Sequence, residues 1–192
     1  DGNLNVTGGS YLTYDQSSTM LVNGRLTLSG GTLGVYNTSC MTLVNSIFSI
    51  VGGDYVHTSS CLLQLIQSSI QVVDGNIRIS NGTSYITNGT VLGVTNGSQY
   101  YSGSAVLVVS DSTLEVLVGG FISFSDNATL SATRAVISVS GGGGLLVSDT
   151  AHLSGSQSTL EVTDGTITFG GNSFVSLVDS RVIVAGGSLD VI

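Results

Sequence analysis

Residues 158–169 read Ser-Thr-Leu-Glu-Val-Thr-Asp-Gly-Thr-Ile-Thr-Phe, and the first five residues of this stretch also occur at 112–116. Working outward from these two copies, one apolar residue recurs at steps of 22, 22, 22, 22, 22, 23, 23 and 22 residues. We call these residues the anchors: Leu4, Leu26, Phe48, Ile70, Leu92, Leu114, Ile137, Leu160 and Val182. A fixed period of this length along the whole chain is typical of repeat architectures.

A glycine follows every anchor by five residues, although glycine supplies only 27 of the 192 residues. We expect this glycine to form a corner of each repeat, through a positive φ or through close backbone contact. The predicted corner glycines are Gly9, Gly31, Gly53, Gly75, Gly97, Gly119, Gly142, Gly165 and Gly187.

The apolar residues of each repeat form three pairs, and the two members of a pair are separated by one residue. A spacing of two is the period of a β-strand. Three short strands in 22 residues predict an all-β fold, a three-sided parallel β-helix (β-solenoid) of nine coils, as one domain over residues 1–192. We expect a right-handed helix, because the six-residue subrepeat of left-handed hexapeptide helices is absent. In one coil the pairs are Leu26 and Leu28, Leu33 and Val35, and Met41 and Leu43.

Two other architectures fit this pattern less well. Leucine-rich or helical repeats require a helical spacing of apolar residues that no segment sustains. An antiparallel β-sandwich would not need a 22-residue register held over eight steps. The chain also contains no proline, as expected where stacked coils use every strand N–H as a donor.

The pattern resembles the right-handed parallel β-helix class, which includes pectin-lyase-like enzymes, autotransporter passengers and filamentous adhesins. The resemblance extends over the whole chain and is typified by Leu160-Glu-Val162, Asp164-Gly165 and Ile167-Thr-Phe169. It implies the fold, and because the motif is architectural it implies no particular activity.

Charge and hydropathy exclude two kinds of partner. The net charge is −8, with four basic residues that are all arginine, so the chain lacks the basic surface that binds nucleic acid. The longest apolar run, residues 105–109, is far shorter than the ~18–20 residues of a membrane-spanning helix. We therefore expect neither nucleic-acid binding nor a membrane span.

The candidates for catalysis or metal binding are few. Glu115 and Glu161 share one outward position of the repeat but lie two coils, roughly 10 Å, apart, just beyond the carboxylate separation of inverting glycosidases. His57 and His152 lie four coils apart, and no cysteine pair has metal-ligand spacing. Outward positions carry no threonine row of the kind an ice-binding face would need. We predict no catalytic residue, no metal site and no cofactor.

Cys40 and Cys61 fall at nearly the same position of consecutive coils. Adjacent coils approach closely enough for a disulfide, which we expect in a secreted chain. Two stacked, reduced thiols are the alternative.

Six of the eleven asparagines lie in Asn-x-Ser/Thr sequons, about twice the number expected from the serine and threonine content. None occupies an inward position of the predicted coils. We therefore expect covalent N-linked glycans and a secreted, extracellular or cell-surface location. The sequon asparagines are Asn5, Asn37, Asn81, Asn88, Asn96 and Asn127.

These features predict a non-catalytic structural glycoprotein that forms a stiff fibre or surface-adhesin stalk by coil stacking. The first and last coils carry the ordinary pattern, so we expect end-to-end self-association or continuation in a longer repeat protein, with surface glycans as possible further partners. The alternative function is a carbohydrate-binding or polysaccharide-degrading β-helix protein.

Overall fold

A computed structural model describes residues 2–80 and 84–192. Every regular element in these residues is a β-strand of four to six residues. The first thirteen are β1 (Asn3–Thr7), β2 (Tyr11–Asp15), β3 (Ser18–Val22), β4 (Arg25–Ser29), β5 (Thr32–Asn37), β6 (Cys40–Val44), β7 (Ile47–Val51), β8 (Asp54–Ser59), β9 (Leu63–Ile66), β10 (Ser69–Val73), β11 (Asn76–Ile79), β12 (Ser84–Asn88) and β13 (Val91–Thr95). The others are β14 (Ser98–Tyr101), β15 (Val106–Ser110), β16 (Thr113–Val116), β17 (Phe121–Phe124), β18 (Thr129–Thr133), β19 (Val136–Ser140), β20 (Gly144–Val147), β21 (His152–Ser156), β22 (Thr159–Thr163), β23 (Thr166–Phe169), β24 (Phe174–Val178), β25 (Arg181–Ala185) and β26 (Ser188–Val191).

The strands form three parallel sheets in which each strand pairs with the strands three places away in the chain. Sheet A runs from β1 to β25 and sheet B from β2 to β26, with nine strands each, and sheet C runs from β3 to β24 with eight. Anchors pair with anchors, since Ile70 lies between Phe48 and Leu92. The predicted parallel β-solenoid is confirmed, with about eight turns of some 22 residues.

The core occupies the inside of the tube, because alternate residues of every strand point inward. In the second coil the three predicted pairs are all buried, and Leu28, Leu33, Val35 and Leu43 are completely inaccessible. This alternation continues through the coils as one continuous hydrophobic cluster. Burial of aliphatic side chains along the whole axis is the main favourable term in the stability of such a fold.

The corner between sheets A and B is built from two rows of residues. One row has positive φ, as at Gly30, Gly52 and Asp74. The next row is packed against the neighbouring coil, so that a Cβ at Gly53 would lie 2.7 Å from the Gly31 carbonyl oxygen. The Gly53 carbonyl in turn accepts a hydrogen bond from the Asn76 N–H. Only a residue without a side chain fits the second row in most coils.

Three of the predicted corner glycines lie outside this close-packed row. Both 23-residue coils place their extra residue at this corner, so Gly119 and Gly142 have positive φ. In these two coils the close-packed residue is therefore the next one along the chain, Gly120 or Gly143. The carbonyl group of each accepts a hydrogen bond from the first strand residue of the next coil's sheet B. In the first coil the close-packed position is occupied by Ser10, and the predicted Gly9 lies one residue before it. The prediction placed each corner glycine five residues after its anchor, so it could not detect an extra residue between the anchor and the corner. The other six, Gly31, Gly53, Gly75, Gly97, Gly165 and Gly187, lie in the row.

The corner between sheets C and A is closed by a row of hydroxyl groups. The Ser68 Oγ accepts a hydrogen bond from the Ser46 N–H of the preceding coil at 3.1 Å, and donates to the Ile66 carbonyl at 2.9 Å. The residue before each hydroxyl adopts a positive φ, for example 50° at Gln67. Ala135 interrupts the row, because its methyl group cannot accept a hydrogen bond from the Ser112 N–H. The hydroxyls belong to Ser46, Ser68, Thr90, Ser112, Ser158 and Ser180.

Candidate functional site

The two glutamates lie on the outer face of sheet A, in one column of outward side chains. Glu115 is at the middle of β16 and Glu161 in β22, and Ser138 of β19 lies between them. The column therefore separates the two carboxylates by two coils, as the sequence predicts. Within the column, the neighbours of Glu115 are Gly93 and Ser138. This arrangement offers a single carboxylate rather than an acid–base pair sharing one substrate.

A groove of about 230 Å³ lies on the same face, above Gly93. A Cβ at Gly93 would meet nothing within 4 Å, so this position leaves a gap between the side chains of Gln71 and Glu115. The groove is smaller than the ~300–1,000 Å³ typical of sites for drug-sized ligands. The sequence alone predicted no role for Gly93. The walls of the groove include Val73, Val91, Thr95 and Leu117.

Two polar pairs lie inside the tube, one on β8 and one on β14, and strand β11, whose inward side chains are aliphatic, separates them. The Tyr55 hydroxyl is 2.6 Å from His57 Nδ1, and the Tyr101 hydroxyl donates to Gln99 Oε1 at 2.8 Å. All four side chains are completely inaccessible. His57 Nε2 and Gln99 Nε2 have no hydrogen-bond partner among the described residues. Sequence reasoning missed both pairs, although all four residues occupy inward positions of their coils.

Burial controls the ionisation of both pairs. Loss of solvation lowers the pKa of His57 from 6.5 to about 4, because the tube interior disfavours the charged imidazolium. The same cause raises the pKa of Tyr55 and of Tyr101 well above the usual value. The four side chains are therefore neutral at neutral pH.

The described residues offer no metal centre: residues 2–80 and 84–192 contain no group of three or more His, Cys, Asp or Glu side chains that could hold an ion. His57 is inside the tube and His152 is exposed on sheet C. The one ion pair in the described part of the chain joins Arg134 and Asp111 at the C–A corner, at 2.6 Å. Its hydrogen bonds lower the pKa of Asp111 and raise that of Arg134.

Cys40 and Cys61 form the predicted disulfide, with their Cα atoms 5.1 Å apart. The bond joins the start of β6 to the residues just before β9, and so ties two consecutive coils together at the corner between sheets B and C. The prediction of a disulfide is confirmed, and the alternative of two reduced thiols is wrong.

The five sequon asparagines that the structure describes are all exposed. Asn5 lies on the outer face of β1, Asn88 is the last residue of β12, and Asn37, Asn96 and Asn127 lie at corners. Asn81 lies outside the described residues. These five asparagines lie at all three corners of the coils and on the outer face of sheet A, and none of their side chains points into the core.

Comparison with known proteins gave no match to a family model, to a curated protein or to a solved structure. The chain is thus defined by its class, the parallel β-solenoids. Within residues 2–80 and 84–192, no helix is long and apolar enough to cross a membrane.

Proposed function

We propose that this chain is a non-catalytic structural segment of an extracellular glycoprotein, a stiff fibre or surface-adhesin stalk. The observation that carries the proposal is the continuity of the three sheets. Each strand between the first and last coils is hydrogen-bonded to a strand on both sides along the axis. Such an axial ladder around a dry core resists bending and stretching, because deforming the rod must break hydrogen bonds in three sheets together.

Two features support an extracellular location. A disulfide between neighbouring coils persists in an oxidising compartment. The described sequon asparagines are exposed, so glycans could be attached without displacing core residues. With only 8% charged residues, the surface would gain solubility from such glycans.

Expression in a secreting eukaryotic cell tests the glycoprotein part of the proposal. We expect the intact mass to fall after treatment with a peptide N-glycosidase. The variant Asn127→Gln should lose one glycan, whereas Asn172→Gln should lose none, because Asn172 is exposed but lies outside any sequon. An unchanged mass after the enzyme treatment would contradict the proposal.

The last coil offers a surface for axial stacking. A cavity of about 470 Å³ there is lined by core-type residues that include Phe169, Leu189 and Ile192. A further coil, from a longer chain or from a second copy, would cover them and pair with the free edges of the three sheets. In a longer chain the next strand would pair with β24 of sheet C, whereas a second copy would leave sheet C one strand short at the junction, because sheet C has eight strands and the other sheets have nine.

The groove over Gly93 favours carbohydrate binding as a second candidate function. Its aliphatic walls could contact the apolar side of one sugar ring, while Gln71 and Glu115 could bind the hydroxyl groups. A screen against acidic and neutral polysaccharides tests this candidate, with Glu161→Gln as the matched control for Glu115→Gln. Turnover that Glu115→Gln abolishes and Glu161→Gln preserves would overturn the structural proposal.

A further inference from the structure

The charged residues are unevenly distributed around the solenoid. The chain has twelve acidic residues and four arginines. Sheets A and B carry charged side chains on their strands, among them Glu115, Glu161, Asp54 and Arg78. None of the sixteen falls within the eight strands of sheet C as the structure describes them. Sheet C is the one side of the rod whose strands are free of charge.

The outer face of sheet C, which we call the C face, combines aliphatic and hydroxyl side chains. Met20 and Val178 are 66% and 56% exposed, and Phe174 is 58% exposed. Burying this surface removes no carboxylate or guanidinium group from water, and its polar side chains can form hydrogen bonds across a contact. Its apolar members are Met20, Val22, Val44, Ile66, Val106, Val108, Phe174 and Val178, its hydroxyl members are Ser18, Thr42, Ser110, Thr129, Ser131, Thr133, Ser154, Ser156 and Ser176, and its other polar members are Gln64, Asn88 and His152.

We propose that two copies of this chain associate side by side through their C faces, related by a twofold axis. This goes beyond the proposed stalk, in which coils associate only along the axis, and it requires that Asn88, the exposed sequon asparagine on the C face, carries no glycan. Eight strands spaced ~4.8 Å apart and about 16 Å long give roughly 600 Å² per copy. The pair would bury about 1,200 Å², the lower end of the range for stable specific interfaces.

Charge favours a second copy laid C face to C face over any other way of joining two rods. Contacts through sheet A or sheet B would bury charged side chains, since the strands of sheet A carry two glutamates and two arginines and those of sheet B carry Asp54 and Arg78. The C faces can meet without burying or opposing charges. The two faces also have the same spacing between strands. The rows of side chains on one face can therefore pack into the grooves between the rows on the other, as in stacked sheets. A twofold contact is closed and yields a dimer rather than an open array.

The oligomeric state in solution tests the proposal. Sedimentation equilibrium of the chain produced in a bacterial periplasm, where the disulfide forms and no N-glycan is added, should give twice the mass of one chain over a range of concentrations. Ser131→Asp places a carboxylate on the C face at the middle of β18, the third strand from one end of sheet C, and so twice in each dimer. We expect this variant to raise the dissociation constant by about 100-fold or more, the effect of unpaired charges in a desolvated contact.

Ser49→Asp is the matched control, because Ser49 has the same half-buried, mid-strand environment on sheet A. It should leave the dimer intact, and circular dichroism should show both variants folded. A monomeric wild-type protein would overturn the proposal. So would equal weakening of the dimer by the two variants, since that would place the contact elsewhere or attribute it to net charge. Neither result bears on the stalk, which needs only axial stacking.

Discussion

His57 is a titratable side chain enclosed by the hydrophobic tube, and its neutral form is held by the Tyr55 hydroxyl. Its pKa is about 4 in the folded chain and about 6.5 in the unfolded chain, so the unfolded chain binds the extra proton across this window. Stability is therefore fully present above pH 6.5 and is lost as the pH falls toward 4. The loss amounts to about 3 kcal/mol.

We predict that His57→Gln removes most of this pH dependence, because the amide does not titrate and can still accept a hydrogen bond from Tyr55. Melting temperatures measured between pH 6.5 and 4 for wild type and variant check this. His152→Gln, which changes an exposed histidine, should retain the wild-type profile. Identical profiles for wild type and His57→Gln would show that His57 is not the titrating group.

The interrupted hydroxyl row at the C–A corner permits a gain of stability. In Ala135→Ser, the new hydroxyl could accept a hydrogen bond from the Ser112 N–H, as Ser158 does from the Ala135 N–H. We expect the free energy of unfolding to rise by about 1 kcal/mol, and Ser68→Ala to lower it by about 1–2 kcal/mol by leaving a buried N–H unpaired. Urea unfolding measures both changes. Destabilisation by Ala135→Ser would contradict the role assigned to the row.

At the scale of strands and corners, the close-packed glycine row sets the distance between coils. We predict that Gly53→Ala costs about 1–3 kcal/mol, because its Cβ would lie 2.7 Å from the Gly31 carbonyl oxygen and the backbone must move. Gly93→Ala is the control, since its Cβ meets open space; it should be neutral or stabilise by up to about 1 kcal/mol. Thermal unfolding of the two variants compares them. Equal melting temperatures for Gly53→Ala and Gly93→Ala would show that Gly53 is not in a close-packed position.

The disulfide is the other link between neighbouring coils. Its cysteines are 21 residues apart in sequence, so the bond restricts the unfolded chain and should contribute about 3 kcal/mol. We expect the double variant Cys40→Ser, Cys61→Ser to melt at a lower temperature than the oxidised wild type. The wild type in reductant should match the variant. A melting temperature unaffected by both changes would show that the link adds no stability.

Sequence reasoning predicted the elements well because the repeat imposes the same pattern about nine times. The period of two identified inward residues such as Leu26 and Leu28, and consecutive coil positions identified the cysteine pair. It missed the shift to Gly120 and Gly143, because an insertion at a corner leaves the anchors in place. The groove over Gly93 and the uncharged C face depend on which outward side chains become neighbours across coils, and this required the strand register.

At the scale of the whole molecule, we propose that the coils stack along one axis and give a fibre or stalk its mechanical stiffness. Electron microscopy and electron diffraction of the native material test this claim most directly. We predict straight rods of uniform width with an axial repeat of ~4.8 Å, the spacing between stacked strands. Isolated compact particles, or rods whose ~4.8 Å repeat lies across the axis, would contradict it.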